Sequence, residues 1–180
     1  MRTVLREFIL TIILALVIFL AARAAIQTYV VVMTSMEPNF HEGNRVVVNK
    51  AVYWLGEPER GDVIVFEEPN GQKEDFIKRV IALPGDTVEI KDKDVYINGT
   101  EIEEPYIRSA PNYYLEELEV PENNYFVLGD NRNNSNDSHR GWFVKGEKIY
   151  GKAWLITWPP NDWGIIPSYD LAKQLAASEA

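Results

Sequence analysis

One uninterrupted apolar run near the N-terminus constrains this chain more than any other feature. Phe8 to Ala22 (FILTIILALVIFLAA) carries no charge, and Arg2, Arg6 and Arg23 bracket it. A helix crossing a hydrocarbon core of roughly 30 Å needs about 20 residues. The run alone falls short of that. Extended through Ala25 it is long enough, provided that Arg23 snorkels to the interface. Two readings fit: a signal peptide cleaved among the small residues around Ala21-Ala22-Arg23-Ala24-Ala25, or a retained single-span anchor. Both leave Arg2 and Arg6 on the cytoplasmic side and send the remainder across. The expected organisation is a short cytoplasmic start over 1–7, a span over 8–27, an extracytoplasmic domain over 28–167, and a C-terminal tail or short helix over 168–180.

Beyond the span the pattern is β. Runs rich in β-branched residues occur at Thr28–Met33, Arg45–Asn49, Asp62–Phe66, Phe76–Leu83 and Thr87–Lys91. Asn70-Gly71 lies between the third and fourth of these and predicts a hairpin. Asn98-Gly99, inside the alternating stretch Val95–Ile102, predicts another. Asn124–Leu128, Lys148–Thr157 and Trp163–Ile166 complete the strand candidates. Many short strands punctuated by Gly, Pro and Asn imply a mostly β, antiparallel sandwich or barrel-like domain behind one N-terminal transmembrane helix. The stretch 103–122, with Tyr106–Val120 at its heart, has no clear period and reads as a surface insertion. Residues 168–180 read as a fraying end. Trp154, Trp158 and Trp163 suit either a bilayer interface or a packed core.

Composition removes several functions. The chain has 180 residues and a net charge of -9. That charge argues against a nucleic-acid partner, which requires a basic face. The absence of cysteine excludes disulfides, thiolate metal sites and a cysteine nucleophile. The two histidines, His41 and His139, make no ligand-spaced pair for zinc. The polar stretch Gly129–Arg140 lacks the ligand and glycine spacing of a calcium loop. No metal or cofactor is therefore expected.

Three local patterns carry chemistry. Ser35 sits where a strand gives way to a turn, in Thr34-Ser35-Met36-Glu37-Pro38; a serine so placed is exposed enough to attack a substrate, although turn capping is the ordinary role. Neither histidine has a setting that favours it as the base for such a serine. Lys78 lies in Phe76–Leu83, where strand alternation puts Phe76, Lys78, Val80 and Ala82 on one face. An amine on an apolar face, without a carboxylate, loses its preference for the charged form and becomes available as a base. The alternative is a lysine that snorkels at a sheet edge. Gly129–Arg140, dense in Asp, Asn, Ser and Arg, makes either a self-bonded loop or a rigid polar scaffold beside a site.

Together these stretches resemble the type I signal peptidase family. Ser35-Met36-Glu37-Pro38 resembles its S-M-x-P nucleophile motif, and Arg60–Phe66 its R-G-D strand. Lys78–Asp86 resembles K-R-V-x-x-x-P-G-D, and Gly129–Ser138 resembles G-D-N-R-x-x-S-x-D-S. The four follow one another in family order. The resemblance implies Ser35 as nucleophile and Lys78 as general base. It also implies Ser135 as a bond to the lysine, and Asp130, Arg132 and Asp137 as scaffold. Ile77, Val31 and Met36 would line the substrate site. The implied activity is removal of N-terminal signal peptides from exported preproteins by a single-pass protein of the plasma membrane, monomeric, with the lipid bilayer as its other partner. Retention of the anchor follows, because such substrates are themselves threaded in the membrane. A secreted β-domain that binds a ligand, and a self-cleaving protease of the same Ser-Lys type, are the competing readings.

The sequence departs from the family pattern at three places. Met33 stands where some members carry a serine that helps hold the oxyanion, and Thr34, if on a strand, would face away. Asp137-Ser138 is followed by His139, with Arg140 one place later than the usual arginine. Asn39-Phe40 replaces the usual Thr-Leu after the nucleophile motif.

Overall fold

The computed structural model describes residues 2–69, 71 and 74–178. Helix α1 (Arg2–Ala25) contains the apolar run. Its stretch Thr3–Ala25 is long and apolar enough to cross a membrane, and none of it is buried against the rest of the protein. An all-round apolar helix with no protein partner needs another apolar medium. The chain enters strand β1 (Ile26–Val30) directly from the helix. The Lys50 N–H bonds the Ala25 carbonyl at 2.7 Å, satisfying one of the acceptors a helix leaves open at its C-terminal end.

The remaining strands are β2 (Arg45–Asn49), β3 (Val63–Glu67), β4 (Asp75–Ala82), β5 (Thr87–Lys91), β6 (Asp94–Ile97), β7 (Thr100–Glu101), β8 (Leu115–Glu119), β9 (Asn124–Leu128), β10 (Val144–Lys145), β11 (Ile149–Trp158) and β12 (Gly164–Ile165). One sheet runs β1-β2-β11-β3-β4-β9-β10, with β12 attached to β11; the other runs β7-β6-β5-β8. Every pairing is antiparallel. The fold is thus mostly β with one N-terminal apolar helix, as the sequence predicts. The hairpin between β6 and β7 turns on Asn98 and Gly99, both at positive φ, the geometry that makes Asn-Gly so strong a turn signal. Strands β3 and β4 also pair as a hairpin, with Glu67 opposite Asp75; Asn70 in its expected turn lies outside the described residues.

Two segments correct the sequence expectation. Residues 103–122 are more than a surface insertion. They contain β8, which pairs with β5, and Tyr106 and Val120 are buried in the core beneath the second sheet. The apolar period is invisible because β8 exposes most of its residues. The fraying expected over 168–180 is not seen up to Ser178. Helix α2 (Leu171–Ser178) packs Leu171 and Leu175, one turn apart, into the same core. Gln174 exchanges two hydrogen bonds with the Glu103 backbone, at 2.7 and 3.1 Å. Glu179 and Ala180 lie outside the described residues. Strand β1 also ends at Val30, earlier than the predicted Met33, so Val31–Thr34 approach Ser35 as irregular backbone. Trp154, Trp158 and Trp163 are all substantially exposed, which removes the core reading for them.

The chain returns to the first sheet through Gly61. Its φ is +91°, and a Cβ placed there would lie 2.0 Å from the Tyr169 carbonyl oxygen. Only glycine meets both conditions. Gly61→Ala is therefore expected to lower the unfolding midpoint and to free the C-terminal segment. Limited proteolysis checks this: cleavage between Pro167 and Ser178 should accelerate well before the β-domain is attacked.

Candidate active site

Alternation along β4 sends adjacent residues to opposite faces. Lys78 points to the face carrying Phe76 and Val80, and it is 1% exposed. Its Nζ lies 2.8 Å from Ser35 Oγ and 2.9 Å from the Ile77 carbonyl oxygen, and 4.9 Å from the centre of the Phe76 ring. Among the described residues no ion pair reaches it. Burial draws its amine from an ordinary value of 10.5 down to about 8, against the opposing pull of Asp137 and Asp130. Ser35 is itself 6% exposed and sits on the turn after Val31–Thr34. The structure therefore joins two residues 43 apart in sequence through one short hydrogen bond.

Arg79, on the other face of β4, has the opposite fate. It forms a bidentate pair with Asp130, at 2.9 and 2.8 Å, and both side chains are fully buried. It also donates to the Gly61 carbonyl and stacks on Tyr106, 4.2 Å from the ring centre. Burial works against its charge, but Asp130 outweighs burial and the guanidinium is held charged. Asp130 accepts a third bond, from Asn39 at 2.8 Å, while Asn39 also donates to the Tyr106 carbonyl. Asn39 in place of the usual threonine is thereby absorbed into the scaffold, and Phe40 is buried in the core.

The polar loop after β9 clamps the turn that carries Ser35. Asn131 N–H donates to the Ser35 carbonyl at 3.0 Å, and the Asn131 side chain to the Thr34 carbonyl at 3.0 Å. Asn134 Nδ2 donates to Thr34 Oγ1 at 3.0 Å. Arg132 donates to the Gly129 carbonyl and pairs with Glu104, both partners being buried. Asp137 accepts from the Gly129 N–H at 2.9 Å and meets His139 Nδ1 at 2.5 Å. Burial opposes the charge on Asp137, but the His139 and Gly129 contacts hold its carboxyl below the usual range. His139, stacked on Tyr113, takes the place expected of the late arginine. Arg140 bonds Asp137 only through its backbone N–H, which donates to the Asp137 carbonyl at 3.0 Å; its side chain makes no ion pair with that carboxylate, and Arg140 lines the open cleft with Ser35, Lys78, Met33 and Asn134.

Not every expected residue stands where the sequence suggested. Ser135 makes no hydrogen bond to Lys78. Its hydroxyl is buried and lies near Asp137 without hydrogen-bonding geometry. Val31 and Ile77 do come together, in a small apolar cavity that Met33 and Val65 also line. Met36 is wholly buried in the core cluster it shares with Val31 and Val65, and it does not line that cavity. The turn that sets Ser35 at the cleft drives the following side chain inward. The sequence reading assigned no role to Glu104 or Asn134, nor to Arg79, Gly129 and Asn131, although these last three lie within the matched motifs. Gly129 is the plainest omission. A Cβ there would lie 2.4 Å from Ser135 Oγ and 2.5 Å from the Ser35 carbonyl oxygen. Nothing in a single sequence signals such a clearance. The group most able to have been found was Asn131 and Asn134, which share the loop already singled out.

With this geometry in hand, the relatives are informative. The model of the family described as signal peptidase, peptidase S26, matches residues 5–158. A probable signal peptidase I-2 from Synechocystis sp. is 42% identical over 138 residues, covering 74% of this chain and 63% of that protein's length. Signal peptidase I of Leptolyngbya laminosa is 41% identical over 176 residues, covering 92% of this chain and 87% of that one. Signal peptidase I S of Bacillus subtilis is 39% identical over 170 residues, with coverage of 87% and 90%.

Two outcomes follow from the site itself. Gly129→Ala should displace Ser135 or the Ser35 carbonyl, since backbone cannot yield cheaply, and so lengthen the Ser35–Lys78 contact. A crystal structure of the variant checks this directly. Lys78→Met should stabilise the protein most at low pH. The folded-state pKa is lowered, so the cost of burying the charge is complete below about pH 8 and disappears as pH rises toward the unfolded value. That cost is roughly 3 kcal/mol, at about 1.4 kcal/mol per pKa unit. Denaturant melts should show the gain at pH 6 and a smaller one or none at pH 10.

Proposed function

Since this chain belongs to the signal peptidase family, peptidase S26, we propose that it is a membrane-bound serine endopeptidase that removes signal peptides from exported preproteins through Ser35 and Lys78. The observation that carries the reading is the 2.8 Å contact between the serine oxygen and a buried amine drawn down to about pKa 8. A lysine at its ordinary value would be charged and unable to accept a proton.

Neutral Lys78 takes the Ser35 hydroxyl proton as Ser35 Oγ attacks the scissile carbonyl. The Ile77 carbonyl and Ser35 Oγ together fix the direction of the amine. The tetrahedral intermediate collapses to an acyl-enzyme, and the leaving amine takes the proton back from Lys78. Water, activated by the same amine, then releases the acyl group. Asp130, Arg132 and Asp137 act as scaffold: each is buried and paired, Asp130 with Arg79, and Arg132 and Asp137 also bond the Gly129 backbone.

The sheet offers the substrate an edge. Strand β4 pairs with β3 from Asp75 to Arg79, but with β9 only from Arg79 onward. The stretch Asp75–Lys78 therefore keeps one side unpaired, where an extended peptide can add as a strand. The small Val31–Ile77 cavity suits the short side chains that precede the cut.

Helix α1 is the retained anchor, with the β-domain on the extracytoplasmic side and the protein acting as a single-pass monomer. Trp154, Trp158, Trp163 and Ile165, all exposed, suit contact with the headgroup region, where Trp is favoured. A secreted binding domain would lose α1, and a mature chain starting near Ala24 would reveal it on a mass spectrum.

Cleavage of one preprotein by the reconstituted full chain tests the reading. Ser35→Ala and Lys78→Ala should each lose at least about 10³-fold in rate. In the wild type, kcat/KM should climb tenfold per pH unit below about pH 8 and level off above it. Full activity of Lys78→Ala, or a flat profile from pH 6 to 9, would remove Lys78 as the base.

A further inference from the structure

Attack at Ser35 moves an electron pair onto the oxygen of the scissile carbonyl, and that charge requires donors. The Ser35 N–H has no acceptor among the described residues and is free to serve as one. Met33, 38% exposed on the same cleft, carries a thioether and cannot donate. A second donor must come from elsewhere.

We propose that the Thr34 hydroxyl, oriented by the Asn134 side chain, is that second donor. Strand alternation does not turn Thr34 away from Ser35, because β1 ends at Val30 and residue 34 lies in a turn. Its backbone is clamped on both sides: its carbonyl accepts from Asn131 Nδ2 at 3.0 Å and from the Glu37 N–H at 3.2 Å, and the next carbonyl accepts from Asn131 N–H. The hydroxyl oxygen accepts from Asn134 Nδ2 at 3.0 Å. A hydroxyl has one proton to give and two lone pairs. With Asn134 occupying a lone pair, the proton is left to point elsewhere, and among the described residues it has no acceptor. Donation from Asn134 also polarises the O–H bond and makes it a better donor. Thr34, Ser35, Lys78 and Asn134 line one open cleft.

This inference rests on the Ser35–Lys78 reading and adds one step to it. As the Ser35 Oγ–carbon bond forms, its proton passes to Lys78 and the carbonyl oxygen becomes the oxyanion. That oxygen accepts hydrogen bonds from the Ser35 N–H and the Thr34 O–H, with no proton transferred from either. Collapse breaks the carbon–nitrogen bond and releases both donors. Thr34 is thus a catalytic residue and Asn134 a positioning residue.

The test is preprotein cleavage by the full chain in vesicles, with kcat and KM separated. Thr34→Val keeps the shape of the side chain and removes the proton. It should lower kcat about 100- to 1,000-fold, with KM and the pH midpoint near 8 unchanged. Thr34→Ser should stay within a few-fold of wild type. Asn134→Ala should cost about tenfold alone and nothing further in the Thr34→Val background, because coupled residues do not add. Thr34→Val with wild-type kcat overturns the proposal, as does equal loss in Thr34→Ser and Thr34→Val, or full additivity with Asn134→Ala. If Ser35→Ala is inactive while Thr34→Val retains full rate, the dyad stands and the oxyanion assignment alone falls. An active Ser35→Ala removes both.

Discussion

The structure depends on one amine buried without a carboxylate partner, its pKa lowered from 10.5 to about 8 by that burial. Burying an ammonium without a partner costs several kcal/mol, and the group sheds its proton instead. Lys78 meets that condition by lying between Phe76 and Val80 on a central strand and bonding only Ser35 and the Ile77 carbonyl. Asp130 and Asp137 lie near enough to pull its pKa upward. Each is engaged elsewhere, Asp130 by Arg79 and Asp137 by His139. Had either carboxylate been free to reach Lys78, the pKa of the amine would have fallen less. Consecutive residues of one strand thus carry opposite solutions to burial, an amine of lowered pKa at 78 and a fully paired cation at 79.

The Arg79–Asp130 pair is weak evidence of stability, since desolvation offsets much of its attraction. Its value here is positional. Asp130 opens the loop whose Asn131 and Asn134 hold the Ser35 turn, and Arg79 ties that loop to β4, to Gly61 and to Tyr106. Arg132 extends the same frame to Glu104, in the segment before β8. Loop, Ser35 turn and β4 are therefore joined by one set of buried bonds. Such preorganisation matters because a nucleophile and a base displaced by about 1 Å lose much of their advantage.

The membrane reading has a different physical origin. Helix α1 has no protein surface against which to bury its side chains, whereas the β-domain has three apolar clusters of its own. The two parts thus need different media, and the hydrogen bond from Lys50 to Ala25 joins them at the helix end.

How much of this was legible follows from the range of each interaction. The apolar run, the Asn98-Gly99 hairpin and the alternation that hides Lys78 are local, so the sequence by itself determined them. Four ordered motifs placed Ser35 and Lys78 in one family, and that inference needed no distances. Only the tertiary structure decided contacts between residues far apart in the chain. It replaced the expected Ser135–Lys78 bond with the Ile77 carbonyl, buried Met36, let His139 stand in for an arginine, and demanded glycine at 129. It also turned part of the apparent insertion into β8, because that strand's pairing with β5 depends on backbone groups that any side chain carries. Periodicity records which face a residue presents; it does not record which distant residue that face will meet.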